Sequence, residues 1–409
     1  MKNQYKNLLA VAVSSSVLAT PVFAEESKSF VDAMKDGKTT LDFRFRIEDV
    51  SEDSKDSATA TTLRTRLNHA TGSYNGFSGF VEFDQVSELL EVDYNTGPGG
   101  TPVPNAVVIA DPEGTDLNQA YIQYKTESTT YKYGRQRILL DNQRFVGGVG
   151  WRQNEQTYDG FSVTNSSIEN VKLFGAYVSN VNRIFGDDRS PAGDNAGTNF
   201  LFNANVKLAD IGTVSGYAYL LDNETLTKFS TNTYGLRLAG ANSGFGYSAE
   251  YAMQSDAADN AADYSASFTA LEGSYSFDPV KVTLGYEVLG ADGADGYFIT
   301  PLATLHAFQG WSDIFLNGGA GNIAGGIEDF YGSIGGKVGP VALSAVYHSY
   351  SSNDVDASTL ASEDLGTEFG LVAKGKAGPV GLLFKYSDYS ADAFGNDTKK
   401  IWLMANITF

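Results

Sequence analysis

The chain has 409 residues, a formal net charge of −20 and no cysteine. Without cysteine there is no disulfide framework and no thiolate chemistry. Strong acidity argues against nucleic acid as a partner, and His69, His306 and His348 lie too far apart for metal-ligand spacing.

In chain order, Lys2 and Lys6 precede an apolar run from Leu8 to Leu18, and Val22-Phe23-Ala24 closes it with a small-residue cleavage pattern. Residues 1–24 therefore read as a secretory signal peptide. Residues 25–38 read as a short periplasmic segment, and 39–409 as one outer-membrane domain. No later apolar run reaches the ~18–20 residues of a spanning helix. Tyr (23), Phe (25) and Gly (44) are nevertheless abundant. That combination fits an all-β, transmembrane antiparallel barrel, in which only alternate residues are apolar and mean hydropathy hides the membrane.

Period-2 alternation recurs over 39–48, 61–73, 77–87, 116–126, 129–138, 156–165, 168–179, 198–208, 212–222, 230–240, 243–254, 264–277, 280–290, 327–337, 341–350, 367–375, 380–389 and 400–409. These are about 18 segments of ~10 residues, the length of a tilted membrane strand. The connections alternate in length. Short turns such as Ser166-Ser167, Asp210-Ile211, Asp278-Pro279, Gly339-Pro340 and Gly378-Pro379 use turn-forming residues. Longer loops fall between them, as expected for short periplasmic turns and long extracellular loops. Lys337-Val338-Gly339-Pro340-Val341 recurs as Lys376-Ala377-Gly378-Pro379-Val380. A propeller would also echo itself, but it would not alternate its connections. The final strand places Ile401, Leu403, Ala405, Ile407 and Phe409 on one face. A terminal Phe409 resembles the signal read by the barrel assembly machinery.

The first strand, TTLDFRFRIEDV, alternates Leu41, Phe43, Phe45 and Ile47 with Asp42, Arg44, Arg46 and Glu48. The apolar set faces lipid, because arginine near the midplane would cost ~2–4 kcal/mol. Arg64 and Arg66 repeat the pattern on the second strand. Arg135, Arg137, Arg144 and Arg152 cluster around the third long connection, which is expected to fold inward and narrow the lumen. Guanidinium groups suit planar anions, and a ladder of them favours anion passage. Glu82, Asp84 and Asp141 are expected inward or beside the constriction too. Arginine–carboxylate pairs can equally well only brace the wall, and both readings stand at this point. Asn203, Asn205, Lys207, Arg237, Lys281 and Lys385 extend the polar wall. Acidic stretches, Glu48 to Asp56 among them, are expected on the outside facing lipopolysaccharide, where divalent cations can bridge like charges. His306 and Asp313 are close in sequence, but no G-x-S-x-G elbow accompanies them. No set of nucleophile, base and orienter can be named, so no enzyme and no cofactor is expected.

LDFRFRIEDV with TTLRTRLNHATG, LNQAYIQYK, YKYGRQRILLDNQRFVGGVGWRQNEQTYDGF and TPLATLHAFQGW together resemble outer-membrane porins of the alginate-export type. The resemblance implies an 18-stranded barrel in the outer membrane of a Gram-negative bacterium. It implies an arginine-lined constriction that passes anionic sugar polymers or small solutes, and it puts that role on Arg44, Arg46, Arg64, Arg66, Arg135, Arg137, Arg144 and Arg152. The expected function is passive diffusion of small hydrophilic, preferably anionic, solutes such as acidic oligosaccharides. Export of an anionic polysaccharide and a purely structural barrel are the alternatives.

Overall fold

The computed structural model describes residues 26–90 and 93–409. The signal peptide expected over 1–24 lies outside the described residues.

The sheet strands are β1 (Lys38–Glu52), β2 (Ala58–Ala70), β3 (Phe77–Glu88), β4 (Gly114–Lys125), β5 (Thr129–Gln136), β6 (Thr157–Asn165), β7 (Val171–Asn182), β8 (Asp194–Leu208), β9 (Gly212–Leu221), β10 (Thr231–Asn242), β11 (Phe245–Asp256), β12 (Ser265–Phe277) and β13 (Val280–Leu289). A two-residue hairpin, β14 (Ala291–Asp292) and β15 (Gly296–Tyr297), precedes β16 (Ile327–Val338), β17 (Val341–Ser351), β18 (Asp364–Ala377), β19 (Val380–Ala391) and β20 (Thr398–Thr408). Leaving the hairpin aside, consecutive strands pair antiparallel into one 18-stranded sheet. β1 pairs with both β2 and β20, so the sheet closes and has no edge. Closure leaves no strand with an open edge in hydrocarbon, which an open sheet could not achieve.

Alternation decides which residues face out. Ile122, Tyr133, Leu236, Leu271, Leu284 and Ile334 are exposed on the outer surface, while inward positions on the same strands are buried. Near the short turns, Phe77, Tyr124, Tyr131 and Phe161 form a ring-to-ring chain with spacings of 4.6, 6.2 and 6.3 Å. This is an aromatic belt at one interface. The turns themselves are tight. Ser243 and Gly244 both have positive φ, 51° and 86°, as a two-residue hairpin turn matching strand twist requires. The two echoed Gly-Pro turns place Gly339 and Gly378 at φ 59° and 60°, a conformation that favours glycine.

Two expectations need correction at the outer rim. The first two predicted segments, 39–48 and 61–73, leave a loop over 49–60, but the ladder continues through Asp49↔Thr59 and Val50↔Ala58, leaving only 53–57. Thr59 donates to Asp49 at 2.6 Å and helps to extend the pair. Glu48 is therefore not an external acid: it is fully buried inside the barrel. At the other end, the segment before β1 forms a short helix, α1 (Phe30–Lys35), capped by Ser29, whose side chain accepts from the Asp32 amide.

Candidate functional site

The register of β1 and β2 sets the first problem. Arg44 lies directly opposite Arg64, and Asp42 opposite Arg66. Like charges facing one another across a ladder repel. The solution comes from the connection 137–156, which folds into the barrel. Arg44 donates from Nε to Gln153 Oε1 at 2.8 Å, from Nη1 to the Gly150 carbonyl at 2.9 Å, and from Nη2 to the Arg152 carbonyl. Arg46 donates to Asp111 at 2.7 Å and to the Trp151 carbonyl. Two wall arginines thus hold three consecutive carbonyls of the loop.

Carboxylates complete the network. Arg66 makes a two-point contact with Asp84, at 2.6 and 2.5 Å, and reaches Glu155 at 2.6 Å. Arg64 donates to Asp42 at 2.6 Å. Arg137 joins Glu82, at 2.6 Å, to Glu155. Arg152 binds Glu48 at 3.0 Å and Asp313 at 2.9 Å. Glu155 is the pin of the loop. Burial pushes its carboxyl pKa up, but Arg137 and Arg66 outweigh burial and hold it far below the usual carboxylate range. Asp111 behaves alike: burial opposes its charge, Arg46 and Arg152 restore it, and its pKa lies below the ordinary value.

Further round the barrel the polarity is reversed, and wall carboxylates take the place of wall arginines: Glu287 and Glu368 accept from the loops, while Glu250 pairs with Arg237 and Asp329 with His348. Glu250 on β11, Glu287 on β13, Asp329 on β16 and Glu368 on β18 are buried inward. Arg144, at the far end of the infolded loop, crosses to Glu287 at 2.9 Å and lies over the rings of Phe268 and Phe308. Beside it, Phe145 packs edge-on against Phe268 and Phe298. A second connection, 290–326, also folds inward. Glu368 accepts from the backbone amides of Trp311 at 2.5 Å and Ser312 at 3.0 Å. Gln254 exchanges two 2.8 Å bonds with the backbone of Ile299. The two loops join each other through Gly147 N to Leu302 O at 2.9 Å and Thr304 N to Gln143 O at 3.1 Å.

Among the residues expected at the constriction, Arg44, Arg46, Arg64, Arg66, Glu82, Asp84, Arg137 and Arg152 come together in this one network. Arg144 lies across the lumen from them. Arg135 stands apart: it shares the face of outward-pointing Tyr131 and Tyr133 and pairs with Asp159 and Asp187, both at 2.8 Å. Asp141 is exposed and accepts from Asn203 at 2.6 Å. His306, considered above as a loop residue, is buried and hydrogen-bonded to Asp313 at 2.7 Å and Lys385 at 2.7 Å. Burial and the neighbouring Lys385 outweigh Asp313 and lower its pKa to about 3.

Sequence reasoning missed the inward carboxylates Glu250, Glu287, Asp329 and Glu368 and the inward course of 290–326. The wall carboxylates come from four different strands, β11, β13, β16 and β18, so nothing in the sequence groups them. For the loop a signal existed: FITPLATLHAFQGW is too apolar for an exposed loop. A polar cavity of about 180 Å³ was also missed. It is lined by Lys132, Lys172, Arg137, Asp141, Asn203 and Asn205 among others, below the infolded loop. Lys132 and Lys172 have no carboxylate partner among the described residues; Lys132 lies 4.5 Å from the Tyr121 ring. No cluster of His, Cys, Asp and Glu suited to a metal ion occurs among the described residues.

The sequence profile of the alginate export family matches residues 40–294. The chain belongs to the alginate export family. It is an outer-membrane β-barrel, as the closed sheet with its apolar exterior requires. Its fold is that of several solved barrels. Pseudomonas aeruginosa OccK9 (OpdG) superposes with a TM-score of 0.69 at 14% identity, covering 92% of this chain and 99% of that one. Acinetobacter baumannii OccAB4 gives 0.68 at 13%, covering 91% and 98%. The outer membrane protein opdK of P. aeruginosa gives 0.68 at 12%, covering 92% and 99%. No curated protein matches the sequence significantly. Within this family member, the fold holds the two infolded loops across the lumen through buried arginines and carboxylates of the wall.

Proposed function

We propose that the barrel is a diffusion porin for small hydrophilic solutes, with a preference for anions such as acidic oligosaccharides. The single observation that carries the anion preference is the polar cavity in which Lys132 and Lys172 have no carboxylate partner among the described residues, and whose lining holds one acid, Asp141, against Lys132, Lys172 and Arg137. The arginines are the weaker support, because each has acceptors from the wall or the infolded loops. Selectivity follows from the charges a solute meets in the aqueous path. Buried, neutralised pairs contribute little to that field. The densely packed loops favour a second reading, a structural barrel that does not conduct. Phe409, whose backbone pairs with Leu41 at 2.8 and 3.1 Å beside Phe43, is proposed to present the C-terminal strand to the assembly machinery. The acidic rim is proposed to meet lipopolysaccharide, and residues 1–24 to direct export.

The test is insertion of the purified barrel into planar bilayers. Stepwise conductance that galacturonate oligomers block supports the porin and its anion site. Conductance that neutral and acidic sugars affect alike leaves a non-selective porin and removes the anion preference. Absence of steps in correctly folded barrel supports the structural reading instead.

A further inference from the structure

The chain has three tryptophans, and all of them surround one lysine. Lys385 points inward from β19 and is 6% exposed. Its ammonium lies 4.2 Å from the ring centre of Trp151, 4.1 Å from Trp311 and 5.4 Å from Trp402. The three rings come from separate places: the infolded loop 137–156, the infolded loop 290–326, and β20, where Trp402 is the cross-strand partner of Lys385. The ammonium donates to His306 Nε2 at 2.7 Å. His306 is therefore neutral, with its Nδ1 proton donated to Asp313 at 2.7 Å. Its ring stacks on Trp151 at 4.6 Å and 9°. Asp313 in turn is held by Arg152 at 2.9 Å and Lys400 at 3.0 Å.

Burying an ammonium is costly, and an apolar side chain would fill the same space without that cost. The indole N–H groups of Trp151 and Trp402 are buried without a hydrogen-bond partner. These rings are not placed for their N–H groups. Their faces point to the cation, and desolvated cation–π contacts are the strong kind. A single charge thereby joins two loops distant in sequence to the wall of β19 and β20.

We propose that Lys385 is the positioning residue of the channel: by gathering the three tryptophans it fixes both infolded loops against one wall and sets the width of the aqueous path. This rests on the porin reading. The test uses the full-length barrel with Lys385→Ala and Lys385→Met. Whole-protein tryptophan emission reports on this site alone, and single-channel recording reports on the path. The alanine variant should show red-shifted emission, larger conductance and more open-channel flicker. Methylammonium should reverse all three in the alanine variant, by refilling the cage, and should do nothing to the methionine variant. Unchanged conductance and flicker in Lys385→Ala, with a conducting wild type, would overturn the proposal and leave the porin reading intact. Changes that methylammonium does not reverse would also overturn it, since lost packing alone predicts that result. If the wild type does not conduct, the porin reading fails and the path-setting role fails with it. Emission and its reversal by methylammonium then decide separately whether the tie exists. Should the alanine variant not assemble, Trp311→Leu removes one ring: intermediate flicker supports the proposal, and wild-type flicker overturns it.

Discussion

Two groups of cations share this lumen, and their surroundings differ sharply. The arginines of β1 and β2 are buried: Arg44, Arg46 and Arg66 hold the backbone and carboxylates of an infolded loop, and Arg64 holds Asp42 of the wall. Lys132 and Lys172 line a cavity below that loop and have no carboxylate partner among the described residues. A count of positive charges along the wall would treat the two groups alike. Their partners separate them. A guanidinium with several fixed acceptors is a structural clamp, whereas an ammonium without a carboxylate partner keeps more of its field for a passing solute. Arginine suits the first task because its planar fork can serve several acceptors at once. Lysine suits the second because it is a hydrated point charge.

The comparison can be broken at several points. The largest effect is expected from Arg46→Ala, which leaves Asp111 and Glu48 buried beside an empty site. Losing one partner of a buried pair costs ~3–5 kcal/mol, read as a lower urea midpoint for the folded barrel. Glu155→Gln should follow. It weakens the charge-assisted bonds from Arg66 and Arg137, a loss of ~1.5–3 kcal/mol, and hydrogen exchange should rise over 148–156. Lys132→Ala with Lys172→Ala should leave the urea midpoint within ~0.5 kcal/mol of wild type while reducing block by galacturonate. Equal destabilisation by the lysine and arginine variants would erase the distinction.

The last effect is one of pH. The His306 pKa is about 3 when the loop is seated and near the ordinary ~6.5 when the loop is released. Between those values the released loop binds a proton that the seated loop does not. Stability of the seated loop is therefore fully present above ~6.5 and declines as pH falls towards 3. Asp313, Lys385 and Arg152 are the charged groups facing the imidazole. Acidification from pH 7 to pH 4 should speed hydrogen exchange over 300–312, and His306→Gln should flatten that profile.

The barrel wall was legible because its physics is local. Membrane on one side and water or packed loops on the other impose a two-residue period, and Leu41 to Glu48 display it without reference to any other strand. The clamp was half legible. Arg44, Arg46, Arg64 and Arg66 could be placed inward, but their acceptors are carbonyls of Gly150, Trp151 and Arg152 and the carboxylate of Glu155, about a hundred residues away in several cases. No period links such partners. The apolar run of 298–311 hinted that 290–326 folds inward, but its anchors were hidden for the same reason: Glu368 and Gln254 hold backbone groups, which carry no sequence signature. Lys385 gave no sign of its role, since its three tryptophans lie on three separate segments.

The most direct test of the account is the reversal potential of the barrel under a salt gradient, compared between Lys132→Ala with Lys172→Ala and Arg44→Met. The account predicts an anion preference that fades in the lysine variant and persists in the arginine variant. Loss of the preference in Arg44→Met, with the lysine variant unchanged, would contradict it.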